Sequence, residues 1–424
     1  MSYAVYSMVG YGHLRAAHPL RGFAELVRAD EYEGIPRMDR ALWRVISSGY
    51  SGITRSVEIP ALGRLAFLSF DYFQRVPSFY PRRDLSRPNM ALLMIYGLIG
   101  SGFGRDLIRK LSRDPLPMIA TYFIPAFMAE HHGYPGEIYC VICDADIART
   151  WAPLRPRGSR IRYLAPTERV VERLKDYGVR EENIVLTGFP LPMELVGEDM
   201  SVVKEDFSKR LPNLDPRGVL TDRYASLLKE RLGGIPESSD HPLTIMFSVG
   251  GTGVQARLGV SILRKLSAQL SRGEMRLVIS VGIRRELRDH FIRWVDRLGM
   301  RGLLDETIII VFEESPERYI ERFNEALRRS DILWTKPSEL SFYAALGIPI
   351  LASEPVGSHE VSNMRWLIKG GYGMVQGDVN YLEQWFFDWL RSGYFAEKAI
   401  GGFLELEKMG TLNVRRAVLG RDAS

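Results

Sequence analysis

Short β-branched or aromatic runs alternate with helical patterns along nearly the whole chain, an order that predicts parallel sheets joined by crossover helices. Strands are expected at Tyr3–Val9, Met118–Phe123, Ile138–Cys143, Ile161–Leu164, Ile184–Thr187, Leu243–Val249, Arg276–Val281, Thr307–Phe312, Asp331–Thr335 and Ile348–Ala352. Between them lie helical patterns such as Ala165–Tyr177, with Pro166 and Thr167 near its start and Gly178 as its stop. The alternation breaks between about Val196 and His241, where two Pro/Gly-rich stretches flank one helical pattern near Thr221–Leu232. That break predicts an interdomain connection over 198–240, between α/β halves at 1–197 and 241–380. The tail at 381–424 reads as helical and aromatic, with Trp385, Phe386, Phe387, Trp389, Tyr394 and Phe395.

Composition agrees with two or more ordinary globular domains, since 424 residues exceed the roughly 150 of a typical one. Two cysteines supply neither a disulfide framework nor an all-thiolate zinc site, and no signal peptide is evident, so the default compartment is the cytoplasm. Cys140 and Cys143 fall in an apolar strand pattern, where residues three apart point to opposite faces, and read as buried structural thiols. The longest apolar stretch, Met90–Phe103, is shorter than the roughly 20 residues a bilayer span needs. Arg82, Arg83 and Arg87 precede it and Arg105, Arg109 and Lys110 follow it, as suits either an interfacial segment or a buried core helix.

The net charge of +5 is a mild excess that alone does not separate nucleic acid from lipid or a phosphorylated substrate. Its distribution is more informative. Residues 1–120 hold 16 Lys+Arg against 10 Asp+Glu, so the surplus sits beside the apolar segment. This favours an anionic membrane surface over nucleic acid.

Three segments carry chemistry. Gly10-Tyr11-Gly12-His13 follows the first strand; glycines there let a ligand approach the backbone, and a histidine at that sheet edge suits a general base or a structural cap. Gly250-Gly251-Thr252-Gly253 is again a strand-to-helix turn, able to cradle a diphosphate or simply to let strand and helix pack closely. It lacks the P-loop lysine. The third block runs from Asp331 through Lys336, Ser338, Glu339 and Pro349 to the Glu354–Asn363 loop.

Taken in order, these blocks resemble GT-B glycosyltransferases of the group that includes monogalactosyldiacylglycerol synthase, processive diacylglycerol glucosyltransferases and MurG. GYGH is similar to the family's GGGH turn, and DADIARTWAP to its TD…H…W segment. APTERVVERLKDYGVREENIVLTGFPL, TKPSELSFYAALGIPIL and PVGSHEVSN resemble later family blocks. The resemblance implies an α/β fold of two Rossmann-like domains facing a cleft, and a C-terminal helix crossing back to the first. It also implies an acceptor bound by the N-terminal domain and a nucleotide-sugar, usually a UDP-sugar, held by the C-terminal one.

Carried over residue by residue, His13 matches the candidate base and Asp144 is the next catalytic candidate. Gly250, Gly251, Thr252 and Gly253 match the diphosphate turn; Lys336, Ser338, Glu339, His359, Glu360 and Asn363 fall in the donor blocks. Gly10, Gly12 and Trp151 belong to the acceptor half, with His131 a further acceptor-binding candidate. No cofactor and no metal are implied, the nucleotide-sugar being a substrate. Partners are the donor and a lipid-borne acceptor or anionic membrane surface, placing the protein in the cytoplasm on the inner membrane face.

The chain departs from the pattern in places. The TK block is two residues short, which puts Phe342 at the position of the ribose-binding glutamate; Glu339 either replaces it or serves as a helix-start carboxylate. His359 stands where the family prefers Gln, and Ala148 where it usually has His. A nucleotide-sugar epimerase on the same fold and a non-catalytic binding protein are the alternatives.

Overall fold

The computed structural model describes residues 1–56, 75–250 and 253–420, with only backbone for 48–56. The chain divides into two compact units. The first comprises Met1–Leu191, Val356–Asn363 and Met409 onward; the second comprises Pro192–Pro355 and Met364–Lys408.

The first unit is built on a six-stranded, all-parallel sheet ordered β2-β1-β3-β4-β5-β6. Its strands are β1 (Ser2–Tyr6), β2 (Ala24–Arg28), β3 (Met118–Ala120), β4 (Ile138–Val141), β5 (Arg162–Ala165) and β6 (Ile184–Leu186). The second unit has another all-parallel sheet, ordered β12-β11-β10-β7-β8-β9. Its strands are β7 (Leu243–Ser248), β8 (Met275–Gly282), β9 (Ile308–Phe312), β10 (Ile332–Thr335), β11 (Ile350–Ala352) and β12 (Gly373–Val375). All ten expected strands are present, with ends shifted by one to three residues. The two additional ones, β2 and β12, are edge strands. Every residue of β1, β3, β4, β7, β10 and β11 is buried, because parallel sheets are covered on both faces, and this is why those strands read as unbroken apolar runs.

Strand order fixes where each unit can bind a ligand. In the first sheet the chain builds outward from β1 to β2, then returns to add β3 on the other side. In the second it builds β7, β8, β9, then returns to place β10 beside β7. The crevices at the C-terminal ends of β1/β3 and β7/β10 are therefore the topological switch points, where open α/β sheets bind ligands.

Two organisational expectations need correction. The stretch 198–240 is no free connection: the helix Ser201–Leu214 buries Val203, Phe207, Leu211 and Leu214 in the second unit. Arg210 of that helix is buried too, donating Nε to Ser330 O (2.8 Å), Nη1 to Leu346 O (2.8 Å) and Nη2 to Leu327 O (3.2 Å). The first domain thus ends at Leu191, short of residue 197. Nor is 381–424 one crossover. The helices Leu382–Arg391 and Tyr394–Glu405 belong to the second unit, where Trp385 packs on Trp334 at 5.8 Å and an added Cβ on Gly402 would lie 2.4 Å from Ala344 O.

Only the helix Gly410–Leu419 belongs to the first unit. Thr411 Oγ1 donates to Leu191 O at 2.5 Å, Asn413 Nδ2 to Thr187 O at 3.0 Å, and Gly410 passes so close to the Phe189 carbonyl that an added Cβ would be 2.1 Å from it.

Candidate functional site

Each switch point carries one half of the candidate chemistry. In the first unit, β1 runs into the helix Tyr11–Ala17, and the loop between them is fixed by Asp30, whose Oδ1 accepts the Met8 N–H at 3.1 Å. Gly10 precedes that helix in extended backbone, and a Cβ there would meet open space. The His13 ring lies across the crevice toward β3, with Nδ1 2.7 Å from Thr121 O, while Thr121 Oγ1 donates to His13 O at 2.9 Å. A carbonyl only accepts, so Nδ1 carries the proton and Nε2 keeps the lone pair. Burial pushes the His13 pKa down to about 4, outweighing the raising effects of the Thr121 carbonyl and Asp144; His359 lowers it slightly further. The ring is therefore neutral at physiological pH, with its basic nitrogen fixed as Nε2.

Aromatic side chains hold this ring. Tyr122 lies 4.5 Å and Trp151 6.4 Å from it, centroid to centroid, and Phe123 packs on both of them. Cys143 belongs here as well. Its Sγ lies 3.4 Å from Thr121 O and 3.8 Å from His13 Nδ1, because the residue stands beyond the end of β4 and not within the strand. Both cysteines are buried and free, and burial pushes the Cys140 thiol far up. The Thr121, Tyr122 and Cys143 contacts were not anticipated; the only signal for them was their position just after apolar strands.

The two acids of Asp144-Ala145-Asp146 have separate roles. Asp146 forms a bidentate pair with buried Arg173, at 2.8 and 2.9 Å, and so is structural. Asp144 accepts Asn363 Nδ2 at 2.9 Å, and Asn363 Oδ1 accepts the Ala145 N–H at 2.7 Å. Among the described residues no group of three His, Cys, Asp or Glu is arranged to hold a metal ion.

His359, Glu360 and Asn363 thus lie in the first unit, not in the 241–380 domain. Glu360 is buried and accepts the Val356 N–H at 2.8 Å, closing the turn that starts the helix Ser358–Gly370. His131 lies away from the His13 ring. The helix Phe123–His131 starts at the C-terminal end of β3 and runs back toward the other sheet edge, carrying His131 about 12 Å along its axis from Phe123. There it meets His132 and Tyr96, not His13.

In the second unit, Gly250 and Gly253 adopt φ values of +76° and +73°, left-handed backbone that favours glycine. Gly251 and Thr252 lie outside the described residues. Lys336, directly after β10, reaches over this turn: a Cβ added to Gly250 would be 3.4 Å from its Cε. Arg284, after β8, flanks the other end, its Nη1 2.6 Å from a Cβ added to Gly253. Two cations beside a turn of backbone N–H groups suit a diphosphate. The sequence reading missed Arg284, for which the one signal was its place after a strand ending in glycine.

Ser338 Oγ accepts the Leu340 N–H at 3.4 Å, capping the 3-10 helix Glu339–Leu346, and Glu339 is the first residue of that helix. Phe342 is buried, its ring 5.1 Å from Trp366, so it serves the core. Gln255 is buried after the turn and donates to Ser353 Oγ.

No protein-family model and no curated protein matches the sequence. Solved structures match in fold. MnaA from S. aureus, in a co-structure with UDP, is 12% identical, covering 98% of this chain and 94% of its own, with a TM-score of 0.51. A Listeria monocytogenes protein described as a UDP-N-acetylglucosamine 2-epimerase is 10% identical, covering 100% and 99%, with a TM-score of 0.50. MurG of Acinetobacter baumannii is 13% identical, covering 88% and 95%, with a TM-score of 0.46. The two parallel six-stranded sheets with surrounding helices are those of the two-domain α/β GT-B fold.

Proposed function

We propose that this protein is a glycosyltransferase that moves a sugar from a UDP-sugar to the hydroxyl of a lipid-borne acceptor, by metal-independent displacement with inversion. The observation that carries the reading is the His13–Thr121 hydrogen bond, which fixes a neutral imidazole with Nε2 as base at the β1/β3 switch point. His13 Nε2 takes the proton from the acceptor hydroxyl as that oxygen bonds to the anomeric carbon. The bond from that carbon to the diphosphate breaks, and the leaving nucleoside diphosphate keeps the electron pair. Lys336, Arg284 and the Gly250–Gly253 turn stabilise its growing negative charge. Asp144, steadied by Asn363, lies close enough to raise the His13 pKa, so it favours the imidazolium formed as the proton moves.

A nucleotide-sugar epimerase on the same fold is the second reading, favoured by the fold match to the Listeria protein. Incubation with labelled UDP-sugars, with and without lipid acceptors, separates the two. Transfer that needs an acceptor and is lost in His13→Ala supports the transferase. Sugar interconversion without acceptor establishes the epimerase, and binding without product establishes a non-catalytic protein.

A further inference from the structure

At the N-terminal edge of the second sheet, the other end of β7 from the glycine turn, one histidine stands between two carboxylates. His241 Nδ1 lies 2.7 Å from Asp240 Oδ1, and Nε2 lies 3.2 Å from Asp331 Oδ1. Asp240 is exposed and also meets Lys209 Nζ at 3.1 Å, whereas Asp331 is completely buried. The Asp331 anion is nevertheless favoured, because its Oδ2 accepts the Thr244 N–H at 2.7 Å and Asn213 Nδ2 at 3.0 Å. An ionised carboxylate only accepts, so a ring held between two of them carries a proton on each nitrogen.

This imidazolium joins three separate segments. Asp331 immediately precedes β10, and its own N–H donates to Thr244 O of β7 at 2.8 Å. Asn213, in the last turn of the helix Ser201–Leu214, donates Nδ2 to His241 O as well as to Asp331, both at 3.0 Å. β7 and β10 are the paired strands of the switch point, and their far ends lead to Gly250 and Lys336.

Most other charges around the ring are engaged elsewhere. On the helix Ser201–Leu214, Arg210 is bonded to carbonyls and Asp206 to Arg328 of the helix Pro316–Arg328. Arg322 and Glu325 of that second helix pair with each other at 2.8 Å, and Arg276 of β8 donates Nε to Glu306 O. Asp305, Glu306 and Arg329 line, together with His241, a cavity of about 690 Å3, so the ring exchanges protons with solvent although its side chain is only 9% exposed.

We infer that His241 is a pH-responsive latch: doubly protonated, it pins the starts of β7 and β10 and the last turn of the helix Ser201–Leu214, and on losing one proton it loosens them. Burial alone would lower the His241 pKa, but Asp331 and Asp240 outweigh it and hold the pKa above the ordinary 6.5. The stabilisation is therefore complete below about pH 6.5 and is lost as pH rises through the higher folded-state value. On deprotonation Nδ1 becomes an acceptor, which Ser239 Oγ, 3.3 Å away, satisfies; the cost falls on Asp331, a fully buried anion left with no cation bonded to it. Arg210 holds the middle of the helix at every pH, so only its last turn and the strand starts open. The latch is separate from the transferase reading, since its release needs neither donor nor acceptor.

The experiment is hydrogen-deuterium exchange of the full chain, read by mass spectrometry between about pH 6 and 9 and corrected for the intrinsic pH dependence of exchange. Protection of peptides covering 208–215 and 241–246 should fall by about tenfold or more across that range, while peptides from β3 and β4 of the first unit keep theirs. Asp240→Asn, at an exposed position, removes one of the two carboxylates and should move the fall to lower pH. His241→Gln should leave both peptides poorly protected at every pH. No fall in the unaltered protein, an equal fall in the first unit, a fall unmoved by Asp240→Asn, or one that persists in His241→Gln each overturns the inference. If His241→Gln does not fold, Asp240→Asn carries the test alone.

Discussion

Asn363 holds Asp144 by its amide nitrogen and the next backbone N–H, that of Ala145, by its amide oxygen, at 2.9 and 2.7 Å. One fully buried side chain thereby fixes the acid next to the candidate base. Asn363→Ala should cost about 1–3 kcal/mol of stability. It should also lower kcat about ten- to a hundredfold, by letting the carboxylate move. Asn363→Asp sets a second carboxylate against Asp144, so its melting temperature at neutral pH should fall below that of Asn363→Ala. The difference should shrink in acid as the carboxylates protonate, which calorimetry at several pH values would reveal.

His13 sets the response to acid. Its pKa in the folded chain, about 4, lies below its ordinary 6.5, so the base stays available through mildly acidic pH. The acidic limb of kcat/KM should therefore lie well below pH 6. Between about pH 4 and 6.5 the unfolded chain binds the proton that the folded one refuses, so stability must fall as pH drops through that window. The loss due to this residue is about 3 kcal/mol at most. Denaturant melts of His13→Gln should show a correspondingly smaller acid dependence.

Lys336 and Arg284 border the glycine turn of the second unit. UDP should raise the thermal melting point, and Lys336→Ala or Arg284→Ala should each weaken UDP binding about tenfold, as expected for one charged hydrogen bond to phosphate. A screen with UDP, GDP, ADP, CDP and dTDP that gave no shift at all would falsify the donor site.

Arg210 secures the helix Ser201–Leu214 through three backbone carbonyls. Arg210→Leu leaves those carbonyls buried without donors and should destabilise the second unit by about 2–4 kcal/mol. Unchanged stability would mean that these three hydrogen bonds add nothing to that unit.

The sequence made the central strands visible because residues such as Val5, Ile119, Ile245 and Leu333 are buried on both sheet faces. It hid β2 because Glu25 and Arg28 interrupt its apolar run, and β12 because it is only three residues long, with Gly373 at its start and Val375 exposed, whereas the equally peripheral β6 and β9 keep unbroken isoleucine and valine runs. Position after a strand placed His13, Gly250 and Lys336 at switch points. Contacts between distant segments were not legible. Arg210 falls in the stretch that reads as a connection, where nothing reveals its carbonyl partners, and Cys143 reads as a strand thiol. His131 stands at the far end of its helix, a placement that closeness in sequence to the acceptor segment does not reveal.

The first unit is sealed by chain made long after its sheet. Its sheet is complete by Leu186, yet the carbonyls of Thr187 and Leu191 are met by Asn413 and Thr411, and the Ala145 N–H by Asn363. On a ribosome the nascent first unit must therefore wait, with part of its rim open, until residues beyond 409 leave the exit tunnel. A polypeptide ended at Leu191 would remain in that open condition. Chaperone demand during synthesis should accordingly depend on the segment Gly410–Leu419 more than on the length of the first unit.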